Sequence, residues 1–245
     1  MLIAQELTYY GLDIYKKRML PDLLHRLADI NGLEWIRLHY AYPSRFPLEI
    51  LDVMKERENI CNYLDMPLQH ASDSMLKAMR RQITRSEMND LIQIIREKIP
   101  GICLRTTLIA GFPGETREDV EVLKMFLQQH RFDRVGIFTY SHEEGTGAYL
   151  FQDNITASEK EARAQEIMDL QQEISFEKNQ DKIGRIFKTL IDKKEAGRYI
   201  GRTEFDSVEV DNEVIIQSEN KLAIGEFVHV RITKSYDYDL EGELI

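Results

Sequence analysis

The sequence predicts an α/β protein in which parallel βα units are followed by a small antiparallel β-barrel. Three observations carry that expectation. Short β-rich runs alternate with apolar residues at helical spacing, a long helical pattern follows from Ala157 to about Asp181, and after Gly184 the apolar period changes to two.

Five runs read as strands: Leu2 to Ala4, Trp35 to Tyr40, Asn62 to Met66, Cys103 to Ala110 and Arg134 to Tyr140. Between them Leu20, Leu23, Leu24 and Leu27, then Ile50, Leu51 and Met54, then Met88, Leu91, Ile92 and Ile95, then Val120, Leu123, Phe126 and Leu127 repeat at helical spacing. Such alternation predicts a parallel sheet with both faces covered. A parallel strand starting at the first residues would leave an edge unprotected, so the chain reads as a fragment, or its edge is covered by something else. The long helix places Ala164, Ile167, Met168, Gln171, Ile174 and Ser175 on one face, with Thr156 or Ser158 as cap and Glu159 and Glu161 complementing its dipole. Beyond it Ile186–Asp192, Arg198–Glu204, Ser207–Asp211, Glu213–Gln217, Phe227–Tyr236 and Asp239–Ile245 read as barrel strands separated by turn residues. Two domains are expected, 1–178 and 179–245.

Of the 245 residues, 43% are apolar and 30% charged, as in a soluble globular chain. There is no apolar run long enough for a membrane span and no signal-peptide pattern at the N-terminus, so a cytoplasmic protein is expected. The net charge is −10; residues 1–178 carry 22 basic and 28 acidic side chains, and residues 179–245 carry 10 and 14. A nucleic-acid duplex would gain little from counterion release on such a surface, whereas a basic partner suits it. Cys61 and Cys103 stand far apart in apolar sequence and read as buried thiols rather than a metal knuckle. His25 and His130 lie in helical segments without ligand partners at zinc spacing. Met75 and Met79 read as helix core, Trp35 as a core residue opening its strand, and Arg80–Glu87 as a solvated connection.

The fourth run ends abruptly in Gly111, Phe112, Pro113, Gly114 and Glu115, and a helix begins near Thr116. Parallel sheets bind ligands at the carboxyl ends of their strands, where glycine lets backbone approach closely and helix N-termini offer unpaired N–H groups. The spacing is neither a nucleotide P-loop nor a Rossmann fingerprint. Taken alone, the segment is equally a plain βα turn. Gln5 after the first run, Gln69 and His70 after the third, and Tyr140, Ser141 and His142 after the fifth add polar side chains at the same end, which favours a ligand mouth.

The stretches LIAQELTYYGLD, WIRLHYAYP, NYLDMPLQHASDSMLKAMRR, LRTTLIAGFPGETREDV, FDRVGIFTYSHEEGTGAY and KIGRIFKTLID through GRTEFDSVEVD together resemble the methylthiotransferases, radical S-adenosylmethionine (SAM) enzymes with a C-terminal TRAM barrel. Within them the chain looks most like the branch that methylthiolates an aspartate of a small-subunit ribosomal protein. The resemblance implies a partial β/α barrel of six strands, of which this chain holds the last five. It also implies two [4Fe–4S] clusters whose cysteine ligands are absent from this chain, which is expected to be inactive by itself. S-adenosylmethionine is the implied cofactor, with Gln5, Arg37, Gln69, His70, Thr107, Gly111, Phe112, Pro113, Gly114, Glu115 and Tyr140 around it. Arg37, inside its strand, either pairs with a carboxylate or makes a structural salt bridge. No catalytic residue is assigned. The family's chemistry is reductive cleavage of S-adenosylmethionine, hydrogen abstraction from an unactivated carbon and insertion of a methylthio group. The acidic barrel, ending YDYDLEGELI, suits a basic ribosomal protein, although Lys193, Lys194 and Arg198 leave RNA contact through the TRAM barrel open. The alternatives are the tRNA adenosine branch and a cluster-less binding module.

Overall fold

A computed structural model describes all of residues 1–245. After a short helix α1 (Leu12–Tyr15) and α2 (Leu20–Ala28), the chain runs β1 (Ile36–Leu38), α3 (Glu49–Glu56), β2 (Ile60–Asp65), α4 (Asp73–Ala78), α5 (Arg85–Lys98), β3 (Cys103–Ala110), α6 (Arg117–His130) and β4 (Arg134–Thr139). The four strands form one sheet in the order β1-β2-β3-β4, all parallel. Of the run Leu2–Ala4, only a bridge from Leu2 to Leu38 forms, so the first expected strand reduces to a single rung. Leu2 N–H donates to Arg37 O at 2.9 Å and His39 N–H to Leu2 O at 3.2 Å. Glu6 then turns the chain away, its carboxylate accepting from Thr8 N–H at 2.8 Å.

Side chains alternate across a strand, and this sorts the sheet's two faces. Ile36, Leu38, Ile60, Leu64, Leu104 and Leu108 point toward the helices and join a single large core with Leu24, Ile50, Ile92, Val120 and Leu127. Capping boxes fix the starts of α5 (Thr84 with Glu87) and α6 (Thr116 with Asp119). The opposite, inner face presents Arg37, Tyr63, Arg105 and Arg134.

Helix α7 (Ala157–Gln180) leads to a closed barrel of β5 (Ile186–Glu195), β6 (Arg198–Thr203), β7 (Val214–Gln217), β8 (Phe227–Ser235) and β9 (Leu240–Leu244), in the order β5-β6-β7-β9-β8. Thr156 caps α7, its side chain accepting from Glu159 N–H. The barrel is antiparallel except where β7 pairs β9 in parallel. At Gly201 a Cβ would stand 2.5 Å from Leu190 O, so only glycine lets β5 and β6 approach that closely.

Ser207–Asp211, expected as a strand, is instead a turn with Glu209 at φ 62°. It belongs to the β6–β7 connection, which packs on the foot of the parallel sheet's inner face. Tyr63 Oη donates to Asp211 Oδ2 at 2.7 Å, Arg134 Nη2 to Asp206 Oδ1 at 2.6 Å, and Cys103 Sγ to Phe205 O at 3.3 Å. The connection supplies Asp206 to Arg134 and Asp211 to Arg105, which also meets Asp65 of the sheet itself.

Candidate functional site

At the carboxyl end of β3 the chain folds into a tight loop. Gly111 has φ 76° and Gly114 φ 83°, conformations that favour glycine. A Cβ on Gly111 would also lie 2.3 Å from Lys160 Cγ, whereas Gly114 faces open space. The loop is held by Glu115, whose carboxylate bends back to accept from Gly111 N–H at 2.9 Å. From α7, Arg163 Nη1 donates to Glu115 Oε2 and to Glu115 O, both at 2.8 Å.

His70 completes this anchor. Its Nδ1 accepts from Ala71 N–H and Ser72 N–H, each at 2.9 Å, which puts the ring proton on Nε2. That Nε2 lies 3.3 Å from Glu115 Oε1, off the line of a hydrogen bond, with both side chains fully buried. Burial pushes the Glu115 carboxyl upward, but the His70 N–H, the Arg163 guanidinium and the Gly111 amide more than reverse it, leaving the group below its ordinary value. His70 and Glu115 therefore sit beneath the mouth and join three segments; they do not line it.

The loop after β2 is pinned in the same manner. Gln69, at φ 73°, donates its N–H to Thr107 O at 2.9 Å and accepts from Ile109 N–H at 2.8 Å, so the loop lies along β3 as an added rung. Ser74 Oγ donates to Asp119 Oδ1 at 2.6 Å, and Ser72 Oγ reaches the same oxygen. Burial raises the Asp119 carboxyl, and the Ser72, Ser74 and Thr116 hydrogen bonds override it and bring it to about 2. Arg81, expected in a solvated connection, donates to Pro67 O and stacks on Tyr42 at 4.4 Å from the ring centroid.

An aromatic wall closes the side next to β4. The Phe112 and Tyr140 ring centroids stand 5.1 Å apart edge to face, Phe151 packs on Phe112 at 5.9 Å, and His142 stacks on Tyr149 at 4.7 Å. Lys160 Nζ donates to Tyr140 O at 3.3 Å and to Asp153 Oδ2 at 2.6 Å, tying the wall to α7. Gln5 is exposed, and Gln69 and Thr107 are half-buried. The mouth thus offers glycine backbone, an aromatic surface and a few polar side chains.

Arg37 is not part of this mouth. It is buried on the inner face, donating from Nη2 to Thr203 O at 3.2 Å and to Glu204 O at 2.9 Å, and it stacks on Tyr63. The expected pairing with a carboxylate is corrected by this geometry: Arg37 docks the C-terminal barrel through carbonyl oxygens. The inner-face arginines that do meet carboxylates are Arg105, 2.9 Å from Asp65, and Arg134, 2.6 Å from Asp206. Lys160, Arg163 and Asn179 were also missed, although they continue the 164–175 helical face at spacings of three and four. That face is as much polar as apolar, and an apolar search passes over it.

Cys61 and Cys103 are buried free thiols at the feet of their strands, and burial pushes Cys61 up to about 11. Nowhere do three His, Cys, Asp or Glu side chains converge as a metal site, and no helix is long and apolar enough to cross a membrane.

Residues 5–127 match the radical SAM superfamily model and residues 183–245 match the TRAM domain model. The chain belongs to the radical SAM superfamily. Among curated relatives, the ribosomal protein uS12 methylthiotransferases RimO of Flavobacterium johnsoniae and Cytophaga hutchinsonii are 54% and 56% identical to it, over 99% and 100% of this chain. That of Bacteroides thetaiotaomicron is 53% identical over 100% of this chain. The chain spans 56% of the length of each of these relatives.

Proposed function

We propose that this chain is the cofactor-cradling and TRAM-bearing part of a radical SAM methylthiotransferase that acts on the β-carbon of an aspartate in a small-subunit ribosomal protein. The observation that carries the reading is overall identity of 53% or more, over 99–100% of this chain, to relatives bearing the uS12 methylthiotransferase name. The proposed boundary between 178 and 179 falls in the last turn of α7, whose Asn179 already bonds to barrel carbonyls at Tyr236 and Tyr238.

The mouth fits S-adenosylmethionine. Gly114 is open to close approach, the Phe112–Tyr140 wall offers an aromatic surface for a planar base, and Gln5, Gln69 and Thr107 offer polar groups to the methionine end and ribose. Bound there, the cofactor supplies the radical chemistry for which its superfamily is named. The chain's own residues hold the loops around it: Glu115, His70, Arg163 and Lys160 fix the backbone, and the aromatic wall excludes water on one side. The chain's cysteines do not fit an iron–sulfur cluster, since both lie buried at the opposite end of the sheet, and no step is assigned through one. The barrel's acidic balance supports a basic protein partner.

The test is to reconstitute the complete gene product with iron and sulfide, supply S-adenosylmethionine and a reductant without oxygen, and analyse the small-subunit ribosomal protein by mass spectrometry. One methylthio group on an aspartate is expected. Modification of tRNA with none of the protein would overturn the reading.

A further inference from the structure

At the foot of the parallel sheet, opposite the mouth, lies a cleft of about 460 Å³ between the ends of α5, α6 and α7 and the start of the barrel. Five cations line it: Arg96, Arg131, Lys178, Lys182 and Arg185. Two are neutralised, Lys178 by Asp133 and Arg131 by Glu177, both at 2.6 Å. Arg96 donates only to the backbone carbonyls of His130 and Arg131. The remaining two meet no carboxylate within ion-pair distance. Lys182 Nζ finds only the amide oxygen of Asn179, at 3.0 Å, and Arg185 lies over the Phe187 ring, 5.4 Å from its centroid. On the acidic side, Asp133 is consumed by Lys178 and by Leu104 N–H, leaving Asp181 alone. The floor is aromatic, with Phe187 and Phe205 edge to face at 6.0 Å.

This local excess of positive charge stands out in a chain of net charge −10. Burial, and then the Arg134 guanidinium, hold the half-buried Lys182 ammonium below its ordinary value, the Asp206 and Asp133 carboxylates only partly opposing them. An anion in the cleft would offset both. A compact cation beside a forked guanidinium matches the oxygens of a phosphate group, and an aromatic floor next to it matches a nucleotide base.

We propose that this cleft is a site for a phosphate group, with Lys182 and Arg185 as its principal ligands, supplied by a single-stranded RNA backbone or by free phosphate. It lies at the end of the sheet away from the mouth, so it does not depend on the activity proposed above. One phosphate contact predicts a log–log salt slope of about −0.7 for a single strand.

The experiment uses the 245-residue chain. Binding of a fluorescein-labelled single-stranded ribo-oligomer is followed by anisotropy, and binding of inorganic phosphate by calorimetry. Lys182→Gln and Arg185→Glu are each expected to weaken whichever ligand binds by tenfold or more, while Lys193→Glu, on the barrel outside the cleft, changes it less than twofold. Arg185 is exposed, so its variant carries the test if Lys182→Gln unfolds. Displacement of the oligomer by millimolar phosphate assigns the site to a lone phosphate, and its retention assigns it to a strand; both support the site. Failure of both ligands to bind, or equal weakening by Lys193→Glu, would overturn it.

Discussion

Replacing Arg163 by alanine tests how the mouth is held. The Arg163 side chain is 9% exposed and that of Glu115 is fully buried. Removal of the guanidinium deletes two hydrogen bonds of 2.8 Å and leaves a buried carboxylate with the Gly111 amide and an off-line His70 contact. Breaking one partner of a buried ion pair costs about 3–5 kcal/mol, mostly because a charge is left unpaired. The third contact of Arg163, to the half-exposed Glu159, adds little. We therefore expect a loss of about 3 kcal/mol, which in a chain of this size lowers Tm by roughly 6–12 °C. Urea denaturation at neutral pH, followed by circular dichroism, measures it. The double variant Arg163→Met with Glu115→Gln should recover part of the loss, because an amide leaves no unpaired charge. A loss below about 1 kcal/mol for Arg163→Ala, or no recovery in the double variant, would refute the anchoring role.

Other consequences are independent of this one. Asp119 is depressed to about 2, so its contribution to stability is fully present above its unfolded value near 3.8 and is lost as pH falls from there toward 2; Asp119→Asn should flatten that part of the stability–pH curve. Gly111→Ala meets both a φ of 76° and the Lys160 stem, and should cost about 1–3 kcal/mol in thermal unfolding; a neutral result would mean the loop is slack. Arg134→Met strands Asp206 at the barrel–sheet contact and should raise the rate of limited proteolysis in 196–219 several-fold. Cys61, buried and raised to about 11, should react with a thiol reagent at neutral pH only after unfolding.

Much of the parallel unit was legible because local rules fix it. The alternation in Cys103–Ala110 assigns each side chain to a face, and Gly111 to Glu115 mark the turn. What escaped is non-local. Arg37 could be placed on the inner face by period two, but its partners at Thr203 and Glu204 lie 166 and 167 residues away. Ser207–Asp211 alternates like a strand, yet Ser207 N–H is taken by Asp211 Oδ2 at 2.8 Å and Glu209 turns left-handed, so the segment folds on itself. His70 and Glu115 were legible as a motif but not in their orientation, because burial beneath a loop depends on α7, which arrives much later in the chain.

The proposed cradle for S-adenosylmethionine is formed by the loops that Glu115 and Asp119 gather. Hydrogen–deuterium exchange of the complete, reconstituted enzyme with and without S-adenosylmethionine tests it most directly. Protection is expected in peptides covering 67–72, 107–115 and 139–142, with none in the barrel segment 212–219. Protection absent from the mouth, or strongest in the barrel, would contradict the account.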